Sequence, residues 1–149
     1  MKSQRFGIEI EMTGLTRRSA ALIIAKHFDT GFRHERGIYD TYSVCDQDGR
    51  KWKIVRDASI TPQCGNRFNY DPDYKVEVVS PICHYDDIET IQSIVRELRR
   101  NGHAKVNESC GIHIHVDASK HTARSLRNIA NIMYSKEDLI FKALKVRPQ

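Results

Sequence analysis

The chain has 149 residues and a net charge of +5, and 29% of its residues are charged while 40% are hydrophobic. This length fits a single domain, 1–149, and the composition excludes a disordered or fibrous protein. The sequence has no apolar run long enough to span a bilayer and no secretion signal, so we expect a cytoplasmic protein without a membrane partner.

The positive charge is spread along the chain and is not gathered into one basic patch. A basic protein attracts polyanions in general. The densest groups of arginines lie on predicted helices, where charged residues usually form solvated faces. Charge alone therefore does not predict nucleic acid as the partner.

The four cysteines are Cys45, Cys64, Cys83 and Cys110. They contain no C-x-x-C pair, whereas structural zinc sites usually draw their ligands from closely spaced pairs. In a chain without a secretion signal this favours free thiols over a zinc site or disulfides.

The first half of the chain predicts three strands and one helix. Apolar and polar residues alternate over 5–13, which is typical of a half-buried strand. A helix with a threonine cap follows over 16–28. Two further strands, 39–46 and 51–56, are joined by an Asp-Gly turn and predict a hairpin. Segment 57–73 contains two prolines and predicts a long loop of the kind that often binds ligands.

The second half predicts helices interspersed with strands. A strand is expected over 74–79, and a helix begins at Asp86 or Asp87 and ends at Asn101 before a glycine. Further strands are expected over 104–107 and 111–117. Thr122 caps a helix to about residue 134, and a capping-box pattern at Ser135 predicts a separate last helix that runs to the chain end. This order predicts an α+β fold, with a mainly antiparallel sheet and helices packed on one face.

Strand parity places five ionisable residues on one face of this sheet. Successive residues in a strand point to opposite faces, and each of these residues has apolar neighbours of the other parity. If the apolar faces share the core, the opposite face carries Glu9, Glu11, Glu77, His113 and His115. Adjacent carboxylates repel each other unless a cation lies between them. Carboxylates with one or two imidazoles suit Mg²⁺ or Mn²⁺, and there is room for two ions. Each motif alone also occurs on ordinary solvated sheets, so it is the combination that favours a metal site.

These residues lie in three motifs, FGIEIEM (6–12), VEVVSP (76–81) and CGIHIHVD (110–117), and a fourth motif, WKIVRDASI (52–60), lies between the first two. In this order they resemble the motifs of the amidoligase family, which belongs to the glutamine-synthetase-like carboxylate–amine ligases. The resemblance implies a glutamine-synthetase-like catalytic domain that uses ATP to activate a carboxylate as an acyl phosphate, which an amine then converts to an amide. The substrates would be small-molecule or peptide carboxylates and amines.

The resemblance also implies roles for individual residues. Catalytic roles fall on Glu9, Glu11, His113 and His115. The cofactors are ATP and Mg²⁺ (or Mn²⁺), with Glu9, Glu11, Glu77 and His113 as metal ligands. His115 would contact the nucleotide phosphates, and Asp57 and Ser59 would lie on a nucleotide- or substrate-side loop.

Two departures from the family pattern bear on completeness. Family members generally continue past the last predicted helix, and a later strand there supplies a further acidic ligand and an arginine. No such strand follows His115, so we expect this chain to be the N-terminal portion of the catalytic domain, completed by a C-terminal partner segment or covered by a second copy in a homodimer. Ala58 stands where a glycine is more usual, which predicts a stiffer loop.

Two other functions stay open at this point. One is a nucleic-acid- or partner-binding module on the same fold, for which binding would weaken steeply with salt and survive loss of the glutamates. The other is a metal-dependent hydrolase, which would cleave phosphoesters without an amine.

Overall fold

The computed structural model describes residues 3–65 and 67–144. The chain divides into two units, residues 1–116 and residues 117–149. The strands are β1 (Phe6–Met12), β2 (Phe32–Arg36), β3 (Thr41–Cys45), β4 (Lys51–Val55), β5 (Gln63–Cys64), β6 (Arg67–Phe68), β7 (Val76–Val79) and β8 (Ile112–Val116). The helices are α1 (Arg17–His27), α2 (Ile88–Asn101) and α3 (Ala123–Leu144). The prediction of an α+β fold with an antiparallel sheet is confirmed.

The first unit is built on a six-stranded sheet in the order β2-β3-β4-β7-β1-β8, in which every neighbouring pair is antiparallel. One row of side chains across the sheet is apolar: Tyr42, Ile54, Val78, Ile10 and Ile112. The first four of these residues belong to the core or pack against it, whereas Ile112 on β8 is 65% exposed. The next row lies on the opposite face: Ser43, Lys53, Val79, Glu9 and His113. The alternation in sequence thus becomes a core face and an open face.

Helix α1 packs its small side chains against the core face of the sheet. Its N-cap Thr16 accepts a hydrogen bond from the Ser19 N–H, which satisfies one of the free donors of the first turn. Ala20, Ala21 and Ile24 are fully buried, and they share one core with Trp52 and Val76. Burial of each large apolar side chain in such a core is worth about 1.5–3 kcal/mol.

Helix α2 covers the core beside α1. Ile91, Ile94 and Leu98 are buried. Ile88 and Val95, two further apolar residues of this helix, are more than a third exposed. Gly102 caps the helix, and a Cβ there would lie 2.7 Å from the Leu98 carbonyl oxygen and 2.8 Å from the Ile23 Cδ1 atom. Only glycine allows this close approach of the helix end to its neighbours.

A buried arginine holds the segment that leads into β7. Arg17 is 2% exposed, and it donates to Asp40, to Asp73 and to the carbonyl oxygens of Pro72 and Lys75. These charge-assisted bonds anchor one end of the predicted loop 57–73. This segment also forms the small β5–β6 hairpin and the 3₁₀ turn Pro72–Tyr74, so it has more structure than was predicted.

Several predicted elements differ in detail. The strand predicted over 74–79 begins only at Val76, because the 3₁₀ turn precedes it, and segment 104–107 makes a single bridge, between Lys105 and Thr13. Strand β2 was not predicted, because Arg33, His34, Glu35 and Arg36 lack apolar alternation. A strand at the edge of a sheet can be this polar.

The second unit contains α3, whose cap Thr122 accepts from the Ser125 N–H. The prediction of two helices here is wrong: α3 continues through Ser135, whose hydroxyl donates to the Ile132 carbonyl oxygen one turn earlier. Serine can bond back within a helix in this way without ending it. The predicted end of the last helix, 145–149, lies outside the described residues. No helix in the described part of the chain is long and apolar enough to cross a membrane.

Candidate metal centre

The candidate site lies on the open face of the sheet, where β1 runs between β7 and β8. Glu9 pairs with His113 of β8, and Glu11 pairs with Glu77 of β7. Register therefore brings together the side chains that parity had placed on one face. We call the six residues Glu9, Glu11, Asp57, Glu77, His113 and His115 the acid–histidine cluster.

The histidine end of the cluster consists of Glu9, His113 and His115. One oxygen of Glu9, Oε2, lies 3.1 Å from His113 Nδ1 and 3.2 Å from His115 Nε2. The hydrogen bond to His115, with that to His113, holds the pKa of Glu9 below its ordinary value, although partial burial acts against them. The bond to Glu9 raises the pKa of His113. At this end the two imidazoles offset the negative charge of the Glu9 carboxylate.

The acid end consists of Glu11, Asp57 and Glu77, each of which offers a carboxylate oxygen within 4.8 Å of the others. Glu11 is 5% exposed, and its Oε2 atom accepts a 2.6 Å hydrogen bond from the Gly111 N–H. Burial, together with the negative charges of Glu9, Asp57 and Glu11, raises the pKa of Glu77 to about 7. The acid end therefore has an excess of negative charge, because its three residues are all acidic and none of them offsets the charge of the others.

Asp57 reaches the cluster from the loop that follows β4. Both the backbone N–H and the hydroxyl of Ser59 donate to Asp57 Oδ1, at 2.6 Å and 2.7 Å. These two bonds lower the pKa of Asp57. The next residue, Ala58, accepts a bond from Lys75 Nζ at 2.6 Å. Ala58 does not have a positive φ, so the backbone at this position does not require a glycine.

The family model described as "Putative amidoligase enzyme" matches residues 2–149. This chain belongs to the amidoligase family. No curated protein and no solved structure matches it.

Within residues 3–65 and 67–144, two groups of three residues could each hold a metal ion. One is Glu9, Glu77 and His113, and the other is Glu11, Asp57 and Glu77, so Glu77 belongs to both. Their oxygen and nitrogen donors suit Mg²⁺ or Mn²⁺. The raised pKa of Glu77 marks the excess of negative charge that a cation would neutralise. The donor chemistry and the charge both fit divalent cations.

Every residue predicted for the site of the amidoligase lies at or beside the cluster. Glu9, Glu11, Glu77 and His113 fall within the two groups, and His115 contacts Glu9 but belongs to neither group. Ser59 reaches the cluster only through Asp57. The metal, catalytic and nucleotide roles given to these residues stay predictions.

Asp57 was predicted for a nucleotide- or substrate-side loop and not for a metal group. The signal that could have placed it is strand parity, because Val55 pairs with Glu77 and Asp57 follows two residues later. In an extended chain this carries Asp57 to the same face as Glu77. This placement of Asp57 depends on the pairing of β4 with β7, which the sequence alone does not predict.

Proposed function

We propose that this amidoligase is an ATP-dependent carboxylate–amine ligase whose acid–histidine cluster holds Mg²⁺ or Mn²⁺. The observation that carries the proposal is the pair of three-residue groups that share Glu77. The family match and the resemblance of all four motifs support the same reading. The sheet would then belong to a glutamine-synthetase-like catalytic domain.

The reaction has two steps. A substrate carboxylate oxygen attacks the γ-phosphorus of ATP, and ADP leaves, so that an acyl phosphate forms. The amine nitrogen then attacks the acyl carbon, inorganic phosphate leaves and the nitrogen loses a proton, which yields the amide. When bound, divalent cations neutralise charge on the phosphate oxygens, which is the main requirement of phosphoryl transfer.

The residues of the cluster would have two kinds of role: some would bind the metal ions, and others would orient the side chains that bind them. The metal ligands would be Glu9, Glu11, Glu77 and His113. Asp57 would join Glu11 and Glu77 at the acid end. The Gly111 N–H fixes the Glu11 carboxylate, and Ser59 fixes that of Asp57. His115 lies on the edge strand β8, and its side chain is 64% exposed. We therefore assign His115 to contact with the nucleotide phosphates.

Nucleotide binding that depends on metal tests this proposal. Calorimetry with a non-hydrolysable ATP analogue should show binding with Mg²⁺ or Mn²⁺ and none with a chelator. The double variant Glu9→Gln, Glu11→Gln should abolish it. Glu35→Gln is the control for loss of a carboxylate elsewhere on the same face, because Glu35 contacts Ser43 of β3 and Lys51 of β4. It removes one of the two charges that the double variant removes.

The alternatives give different results in the same assays. A nucleic-acid-binding module would bind oligonucleotides in a salt-dependent way and would keep that binding in the double variant. A metal-dependent hydrolase would cleave phosphoesters at an equal rate with and without amine. Absence of nucleotide binding by the wild-type protein with either metal would contradict the ligase proposal.

A further inference from the structure

Lys75 approaches the acid end of the cluster from the segment that leads into β7. Its backbone is extended, and it lies two positions before Glu77, while Val76 between them is fully buried. Side chains at alternate positions of an extended chain point to one face, so Lys75 extends from the open face on which Glu77 lies. Its ammonium group donates to the Ala58 carbonyl oxygen at 2.6 Å. This bond links the start of β7 to the loop that follows β4.

The Ala58 carbonyl oxygen belongs to the same peptide group as the Ser59 N–H. That N–H donates to Asp57 Oδ1 at 2.6 Å. Because a peptide group is planar, its C=O and N–H cannot rotate independently. A bond that fixes the carbonyl oxygen therefore also fixes the direction of the N–H, and with it the carboxylate of Asp57. The positive charge of Lys75 also polarises the peptide group, which strengthens its N–H as a donor.

The backbone from which the Lys75 side chain extends is itself held in place. The Lys75 N–H donates to the Pro72 carbonyl oxygen at 3.1 Å, and the Lys75 carbonyl oxygen accepts from Arg17 Nη1 at 3.0 Å. The guanidinium of Arg17 is buried and also donates to Asp73 at 2.8 Å. Charge-assisted bonds of this kind are stronger than neutral ones. The ammonium group therefore reaches Ala58 from a fixed origin.

The pairing of β4 with β7 shows what the Lys75 bond replaces. The ladder between these strands ends at the pair Val55 and Glu77. If the same register continued for two residues, Asp57 would stand opposite Lys75, but Asp57 lies beyond the end of β4. At this point the side-chain bond from Lys75 to Ala58 links the two segments instead of a ladder bond.

We propose that Lys75 is a positioning residue for the acid end, and that it holds the Asp57 carboxylate in place through the peptide group between Ala58 and Ser59. The positive charge of Lys75 repels a cation, so Lys75 supports metal binding only through Asp57. The part of the inference that concerns the metal ion rests on the proposed function, because it takes Asp57 as a metal ligand.

The amide proton of Ser59 tests the hydrogen-bonded link in the metal-free protein. In the NMR spectrum of the wild type this proton should lie downfield, because its bond to Asp57 is short. Lys75→Met keeps the apolar part of the side chain but removes the donor, so the Ser59 signal should move upfield. Lys75→Arg keeps a charged donor and should retain most of the wild-type shift. Lys53→Met is the matched control, because Lys53 has the same charge on the open face of β4, and it should leave the Ser59 signal unchanged.

Titration of Mn²⁺ followed by electron paramagnetic resonance tests the consequence for the site. Removal of a positive charge alone would strengthen cation binding, whereas Lys75→Met should weaken it about five- to tenfold, near the lower end of the range for loss of an orienting residue. Lys53→Met should bind Mn²⁺ at least as tightly as the wild type. In an Asp57→Asn background, Lys75→Met should change the affinity by less than about twofold, because no carboxylate is left to orient.

Stability separates this role from a merely structural one. The bond from Lys75 to Ala58 is exposed, and such bonds add little to the free energy of unfolding. The urea midpoint of metal-free Lys75→Met should therefore equal that of the wild type, although its affinity for Mn²⁺ is lower. A fall in the midpoint together with an equal loss of affinity in the Asp57→Asn background would overturn the inference.

The inference is also overturned if the Ser59 signal is unchanged in Lys75→Met, or if this variant binds Mn²⁺ as tightly as the wild type or more tightly. Absence of Mn²⁺ binding by the wild-type protein would contradict the proposed function instead. The Ser59 signal of the metal-free protein would still decide whether Lys75 holds Asp57, so the failures of the two proposals are distinguishable.

Discussion

The histidine end and the acid end of the cluster share strand β1 but balance their negative charge differently. At the histidine end Glu9 lies within 3.2 Å of two imidazole nitrogens, and its pKa is lowered. At the acid end Glu77 faces Glu9, Asp57 and Glu11, and its pKa is raised. The difference indicates that the histidine end is stable without a bound ion, whereas the acid end is the part of the molecule that most needs a cation.

The largest expected effect is on metal affinity in Glu77→Gln. Glu77 belongs to both groups of possible ligands. Loss of a residue that only orients a metal ligand already lowers metal affinity by roughly 10–100-fold. Loss of Glu77 itself should therefore weaken Mn²⁺ binding by about 100-fold or more. Titration of Mn²⁺ followed by electron paramagnetic resonance measures this directly. Glu35→Gln should bind Mn²⁺ as the wild type does. A similar loss in both variants would mean that general surface charge, and not the cluster, binds the ion.

The next effect is on the stability of the metal-free protein at different pH. The pKa of Glu77 rises from an ordinary 4.5 to about 7 on folding. The stability gained from holding the proton is therefore complete below about pH 4.5 and is lost as the pH rises through about 7. We expect a loss of about 1 kcal/mol in unfolding free energy across this range, after allowance for solvent screening of a half-buried group.

Urea denaturation of metal-free protein at several pH values measures this loss. Glu77→Gln should remove it, and Glu35→Gln should retain it. Metal affinity should change in the opposite direction and increase as the pH rises through about 7, because a ligand must lose its proton to bind. A stability profile that is the same in the wild type and in Glu77→Gln would show that the acid end carries no excess charge.

The smallest effect is expected for Ser59→Ala. The variant loses the hydroxyl bond to Asp57 but keeps the backbone N–H bond to the same oxygen. Loss of one of two orienting bonds should weaken Mn²⁺ binding about two- to fivefold, below the range for losing an orienting partner entirely. Ser135→Ala removes a hydroxyl bond within α3 and serves as the control. A loss as large as that in Glu77→Gln would mean that Ser59 contacts the ion or the nucleotide itself.

Much of the site was predictable because strand parity depends only on local sequence. The alternation over 5–13 and 111–117 was enough to place Glu9, Glu11, His113 and His115 on one polar face. It could not show that Glu9 pairs with His113 or that Glu11 pairs with Glu77, because strand register depends on contacts between distant segments. The unequal charge balance of the two ends follows from this pairing, and the position of Asp57 follows from the pairing of β4 with β7.

The errors in the fold have similar physical causes. Strand β2 carries no apolar alternation and forms only because β3 is available to pair with it. The capping-box pattern at Ser135 is a local signal, but the serine bonds back to Ile132 and the helix continues. The single domain 1–149 and the cytoplasmic location stay predictions.

Anomalous diffraction from crystals soaked in Mn²⁺ tests directly whether the acid–histidine cluster holds divalent cations. We expect strong anomalous peaks at this cluster, one among Glu11, Asp57 and Glu77 and one among Glu9, Glu77 and His113. Soaked crystals without a peak at the cluster, or with Mn²⁺ held only by other residues, would contradict it.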